Sequence, residues 1–175
     1  MKSWEESQDE VNKVRQDKEK AKALLKMIDS RLELHKGTDK EKFTTLLVET
    51  YYEIIKEGIT ALMAIDGYKT LSHEVLIVYL KKFYREFSTQ EILLADQLRW
   101  LRNKIVYHGR PVERDYLDRN EKQIKEIIEK LRKLIQKKYA DEQKDVNSKD
   151  AELNNRHDKK EQGKQNGNKS NKNGK

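Results

Sequence analysis

The sequence contains no cysteine and a single proline, Pro111. Without cysteine, the chain has no disulfide, no zinc site built from thiolates and no cysteine nucleophile. It also has no apolar run near the roughly 18 residues that span a bilayer, and residues 1–6 do not resemble a signal peptide. We therefore expect a cytoplasmic protein with no membrane partner.

Short motifs of several enzyme classes are missing as well. There is no P-loop, no G-x-G-x-x-G, no serine nucleophile elbow and no H-E-x-x-H. These absences argue against nucleotide hydrolases, dinucleotide enzymes and a bound catalytic metal. We expect neither a metal nor a cofactor.

Charge dominates the composition, with 39% charged residues and a net charge of +7. Most of the excess lies at the C-terminal end, where residues 154–175 carry seven basic and two acidic side chains. Because residues 141–175 contain few apolar side chains, we predict a disordered basic tail there. Such a tail raises non-specific affinity for RNA or DNA, but it says little about the folded part.

Over residues 1–140 the apolar side chains recur with the three-four spacing of amphipathic helices. The spacing from Trp4 to Leu32 predicts a long first helix that ends at Gly37. We interpret residues 1–15 as its extended arm, which leans on a neighbour or on a second chain. We find no convincing strand alternation.

The other helix limits follow from capping residues and glycines. Thr38 or Asp39 begins the second helix and Gly67 ends it. Ser72 begins the third helix, Ser88 begins the fourth, and the last begins between Val112 and Arg119. The predicted fold is an all-α, up-and-down bundle of about five helices.

The segment from Arg102 to Pro111 gathers polar side chains at the end of the fourth helix. At about 100° per residue, Arg102 and His108 point about 120° apart and lie about 9 Å apart along the axis. Gly109 and Pro111 end the helix there, and a fraying last turn lets His108 swing towards Arg102.

The core stripe of this helix consists of Leu94, Leu98, Leu101 and Ile105. The opposite face carries Trp100, Asn103 and Tyr107. An aromatic face of this kind predicts a second packing surface, against the first helix or against a symmetric partner.

Purely structural interpretations stay open beside the functional ones. Cations in a last turn oppose the helix dipole, and His108 can cap carbonyl groups or extend the core stripe. His73 can approach the same site but has the position of a surface residue. Lys56 and Glu57, in the middle of the second helix, are interpreted as facing solvent.

The pattern Arg102-Asn103, then Lys104 to Tyr107, then His108, resembles the Arg, four-to-six residues, His signature of the HEPN superfamily. In that family, too, the motif lies near the end of the penultimate long helix of a small all-α chain. The context from Leu98 to Gly109, with Asp66-Gly67 and Ser72-His73-Glu74 upstream, resembles stand-alone archaeal and bacterial members. The resemblance covers roughly residues 16–140.

The resemblance implies a metal-independent endoribonuclease that acts as a homodimer with a composite site and forms 2′,3′-cyclic phosphate ends. His108 would act as general acid or base, Arg102 would hold the phosphate oxygens, and Asn103 would position a neighbouring group. The implied substrate-binding residues are Arg99, Lys104, Tyr107 and Arg110.

A toxin or defence role, with an antitoxin or a regulatory protein as partner, also follows from the resemblance. In HEPN toxins paired with a nucleotidyltransferase antitoxin, a tyrosine lies two residues beyond the histidine. Arg110 takes that place here, which argues against pairing with such an antitoxin. One alternative is a non-catalytic helical dimer that binds RNA, a nucleotide or a protein, and another is a purely structural bundle.

Overall fold

The structure, a computed structural model, describes the backbone of residues 1–167 and the side chains of residues 1–140. Within residues 1–167 the chain forms six helices and two short strands. They are a 3-10 helix (Glu5–Glu10), β1 (Val11–Lys13), α1 (Lys18–Lys36), α2 (Lys40–Asp66), β2 (Tyr68–Thr70), α3 (His73–Phe83), α4 (Thr89–His108) and α5 (Arg114–Gly167).

Residues Met1–Gln136 form one compact unit, and a second unit begins at Lys137. The first unit is an all-α, up-and-down bundle, as predicted, and the described fold and sites belong to it. The disordered tail predicted for residues 141–175 falls outside the residues described with side chains, so it stays a prediction.

Local capping chemistry sets the limits of the helices. Asp39 begins α2 and accepts hydrogen bonds from the backbone N–H groups of Glu41 at 2.9 Å and Lys42 at 3.2 Å. Ser88 and Glu91 form a reciprocal capping box at the start of α4. These contacts satisfy backbone donors that have no partner inside the helix, and they confirm the predicted starts of both helices.

Two further limits depend on a glycine and on a serine. Gly67 ends α2 in the left-handed conformation with φ 78°, which favours glycine. Ser72 occupies the N-cap position of α3, but its side chain makes no capping hydrogen bond.

The core lies around α2, which is buried along most of its length. Gly58 lets α5 approach this helix closely, because a Cβ atom at Gly58 would lie 3.0 Å from Leu131 Cδ1 and 3.2 Å from Leu131 Cβ. The apolar stripe of α5 is buried against it. Its members are Leu117, Ile124, Ile127, Ile128, Leu131 and Ile135.

The prediction of one long helix from the N-terminus is wrong. Residues 1–15 form the 3-10 helix and β1, which pairs antiparallel with β2 so that Val11 lies opposite Thr70. Trp4 packs edge-on against Tyr68 and Phe83, with ring centroids 5.9 and 4.9 Å away. These tertiary contacts override the helical spacing of the local sequence, and α1 begins only after Asp17.

Candidate functional site

Backbone hydrogen bonds hold the last turn of α4. Gly109 follows it with φ 60° and donates its N–H to the carbonyl oxygen of Ile105 at 2.9 Å. The N–H of Arg110 bonds to the carbonyl of Lys104 at 3.2 Å. The predicted helix end is confirmed, and in this structure the last turn is hydrogen-bonded through His108.

Arg102 is fixed on α2 by an ion pair. Its Nε donates to Glu53 Oε1 at 3.2 Å, and the two side chains are 19% and 15% exposed. Lys56 pairs with the same carboxylate. Burial raises the pKa of Glu53, but the hydrogen bonds and charges of Lys56 and Arg102 outweigh burial and hold that pKa below its ordinary value.

His108 lies away from this cluster. Its side chain is exposed and makes no hydrogen bond to any residue described with side chains. Because α4 is helical through His108, it and Arg102 keep their divergence of about 120° and their axial separation of about 9 Å. Within one chain, the structure does not bring the two predicted catalytic residues together.

His73 lies beside the Arg102 cluster instead. Its ring centroid is 5.8 Å from that of Tyr52. Burial lowers the pKa of His73, and the nearby charges of Lys56 and Arg102 lower it further. The imidazole is therefore predominantly neutral at neutral pH.

Tyr52 supplies a buried hydroxyl group in the same place. Its side chain is 0% exposed, and its Oη has no hydrogen-bond partner among the residues described with side chains. Burial raises its pKa, so the phenol stays protonated. Charged groups of Arg99, Glu53 and Arg102 lie near it, and the cluster thus combines a neutral imidazole, a phenol and several cations at the meeting point of α2, α3 and α4.

Sequence reasoning missed Tyr52 and Glu53, and it assigned Lys56 and Glu57 to solvent. Glu57 is in fact 7% exposed and bonds to Arg31 on α1 at 3.1 Å. A signal for burial was present, since these polar residues are interspersed among apolar residues on the central helix. It could not indicate which partners they meet.

Of the other predicted site residues, Arg99 lies near Tyr52 with a side chain that is 12% exposed, and the rest lie on the outer side of α4 or just beyond it. Arg99 pairs with Asp96 at 2.8 Å, and its guanidinium lies 5.4 Å from the ring centroid of Trp100. Asn103 is half-buried, and Lys104 and Arg110 are exposed.

Exposed apolar side chains follow α4 at seven-residue intervals. Leu93, Trp100 and Tyr107 are 59%, 56% and 70% exposed. Seven residues are close to two helical turns, so the three side chains share one face. We call them the α4 stripe. The first helix does not cover this face, which leaves the symmetric partner as the prediction.

Among residues described with side chains, no group of three or more His, Asp or Glu is placed to hold a metal ion. No helix in the described part of the chain is both long and apolar enough to cross a membrane.

No family model matches the chain, and no curated protein or solved structure matches it. The fold establishes the class of an all-α helical bundle. Membership of the HEPN superfamily stays a prediction that rests on the motif.

Proposed function

We propose that this protein is a metal-independent endoribonuclease of HEPN type that acts as a homodimer. The observation that carries the proposal is the geometry of Arg102. Among residues 1–140, only Glu53 bonds to this guanidinium, and it does so through Nε, so the Nη atoms keep their hydrogen-bond donors for a ligand. A fixed guanidinium with free donors suits the non-bridging oxygens of a phosphodiester.

The proposed reaction is internal transesterification of RNA. The 2′-oxygen attacks the adjacent phosphorus, the bond from phosphorus to O5′ breaks, and the products carry a 2′,3′-cyclic phosphate and a 5′-hydroxyl. One base takes the proton from the 2′-hydroxyl and one acid gives a proton to O5′. Arg102 stabilises the charge that builds on the phosphate oxygens.

His108 is the proposed acid or base. Its exposure at the end of α4 leaves it accessible to RNA and to a second chain. Since His108 and Arg102 of one chain diverge, the proposed site requires the second chain to supply one of them. Proton transfer by a positioned histidine typically contributes about 10²- to 10⁴-fold to the rate.

The α4 stripe supports a homodimer. Exposed tryptophan and tyrosine on one helix face are typical of a protein interface. On a helical wheel this stripe lies about 60–100° from His108 and about 140–180° from Arg102, which faces α2. A second chain packed against the stripe would therefore border the flank that carries His108.

Cleavage of mixed RNA in EDTA tests the activity. We expect the parent protein to produce 2′,3′-cyclic phosphate ends, and we expect Arg102→Ala and His108→Ala to lose at least about 100-fold in rate. Arg85→Ala removes an exposed arginine outside α4 and controls for lost positive charge. Intact RNA with the parent protein, or full activity in His108→Ala, would overturn the proposal.

Mixing variants tests the composite site. Arg102→Ala and His108→Ala chains, refolded together, should recover part of the activity, because a mixed dimer contains one intact residue of each kind. Trp100→Glu should yield monomers by light scattering and should abolish cleavage. An active monomer would refute the composite site. In that case, the activity of His73→Ala would show whether the neutral histidine beside Arg102 takes the role of His108.

A toxin or defence role, restrained by a protein partner, belongs to the same proposal. RNA binding that persists without cleavage, weakens with salt and survives His108→Ala would instead assign a non-catalytic RNA-binding role.

A further inference from the structure

A cavity lies between α1, α2 and α5, away from the proposed ribonuclease site. Its volume is about 530 Å³, which is in the range of small-molecule sites. Leu32 and Ile128 supply apolar walls, while His35, Lys40, Glu121 and Lys125 supply polar ones. No residue of α4 lines it.

Glu121 anchors the polar side of the cavity. Tyr51 Oη donates to Oε1 of Glu121 at 2.9 Å, and Lys40 and Lys125 pair with the carboxylate at 2.7 and 2.9 Å. Burial raises the pKa of Glu121, but these three donors lower it to about 2. The carboxylate is therefore ionised at neutral pH and holds two lysines in place.

The two lysines retain capacity for a second anion. Each ammonium has three N–H donors and uses one on Glu121. Lys40 and Lys125 are 39% and 54% exposed, so neither is sealed off from the cavity mouth. Lys36 and Glu129 also line the cavity, so its walls carry three lysines against two carboxylates and keep an excess of one positive charge.

His35 is the second observation that points to a ligand. Both of its ring nitrogens are buried, and neither has a hydrogen-bond partner within the part of the chain whose side chains are described, residues 1–140. Its ring packs edge-on against Tyr51, with ring centroids 4.5 Å apart. Burial lowers the pKa of His35, so the ring is predominantly neutral and has one unused donor and one unused acceptor. Buried polar atoms without partners are costly and rare in folded proteins.

We propose that this cavity binds a small molecule with an apolar body and one anionic group, a carboxylate or a phosphate. The anionic group bonds to Lys40 and Lys125, and the body packs on Leu32 and Ile128. A small movement of the His35 ring lets it bond to a polar atom of the body. The site is independent of RNA cleavage.

Histidine NMR signals of the full-length protein test the proposal, because the chain contains only four histidines. Benzoate and phenyl phosphate are titrated separately into the parent protein, and the His35 Cε1–H signal is assigned from His35→Gln. We expect the His35 signal to shift and to saturate with one of the two probes. The probe that binds shows whether the site prefers a carboxylate or a phosphate. Shifts confined to His73 or His108 would assign binding to the α4 region and overturn the proposal.

Matched lysine substitutions complete the test. Lys125→Gln removes a charge from the cavity wall, whereas Lys122→Gln makes the same change at an exposed position on α5 outside the cavity. We expect affinity to fall about tenfold in Lys125→Gln and to change less than about twofold in Lys122→Gln. No shift at His35 with either probe, or equal losses in both variants, would overturn the proposal and leave ribonuclease activity untouched.

Discussion

Replacing Glu53 with Gln removes the carboxylate that Arg102 and Lys56 share, and the change tests how the candidate site is held. The side chains of Glu53, Arg102 and Lys56 are 15%, 19% and 25% exposed, so this ion-pair cluster is largely but not completely buried. Hydrogen bonds to charged groups contribute about 1.5–3 kcal/mol when buried, and exposed ion pairs contribute about 0–1 kcal/mol. We therefore expect Glu53→Gln to lower the free energy of unfolding by about 1–2 kcal/mol.

Glu33→Gln is the matched control. Glu33 pairs with Lys36 three residues along α1, and these side chains are 71% and 73% exposed. Because this ion pair is exposed, Glu33→Gln should change the free energy of unfolding by less than about 0.5 kcal/mol. Urea unfolding at pH 7, followed by circular dichroism with an unchanged m-value, measures both variants.

The difference between Glu53→Gln and the parent should also depend on pH. Since the folded pKa of Glu53 is lowered, its stabilisation is present above the unfolded value of about 4.3 and is lost as the pH falls below it. The stability gap should therefore stay the same from pH 7 to about pH 5 and shrink as the pH falls below about 4. Equal losses in Glu53→Gln and Glu33→Gln, or a gap that does not change with pH, would refute the assignment of Glu53 as the group that fixes Arg102.

Two predictions concern backbone strain and buried polar groups. Gly67→Ala places a Cβ 2.9 Å from the carbonyl oxygen of Val14 at φ +78°, and we expect it to cost about 1–3 kcal/mol by thermal unfolding. Gly37 has φ −101°, and a Cβ added there would meet no described atom of another part of the chain within 4 Å. Gly37→Ala should therefore change stability by no more than about 0.5 kcal/mol. Equal costs at both glycines would contradict the predicted strain at Gly67. Tyr52→Phe removes a hydroxyl that has no partner, so stability should stay the same or rise by about 0.5–1 kcal/mol, and a loss above 1 kcal/mol would mean that the hydroxyl is bonded.

Helix ends could be predicted from the sequence because they depend on neighbouring residues. Gly67 and Gly109 supply left-handed conformations, and Ser88 with Glu91 closes a capping box within four residues. The N-terminal segment could not be predicted in this way. The position of Trp4 depends on Tyr68 and Phe83, which are distant in the sequence. The helical spacing of the residues around Trp4 therefore predicted a helix that the structure does not have.

The candidate site, too, could be predicted only where it depends on residues of a single helix. The exposure of Trp100 and Tyr107 followed from the helical wheel, which needs only the residues of α4. The partner of Arg102 is Glu53, 49 residues earlier, and helical spacing carries no information about that pairing. Whether His108 works with Arg102 depends on a second chain, which the sequence of one chain does not place.

The chain carries two tryptophans in contrasting surroundings. Trp4 is clamped among aromatic rings, whereas Trp100 is 56% exposed on α4. Fluorescence from Trp4 should therefore report the docking of the N-terminal segment, and fluorescence from Trp100 should report whatever comes to cover α4. Two single-tryptophan proteins would thus let folding and association be followed separately, each without a foreign label.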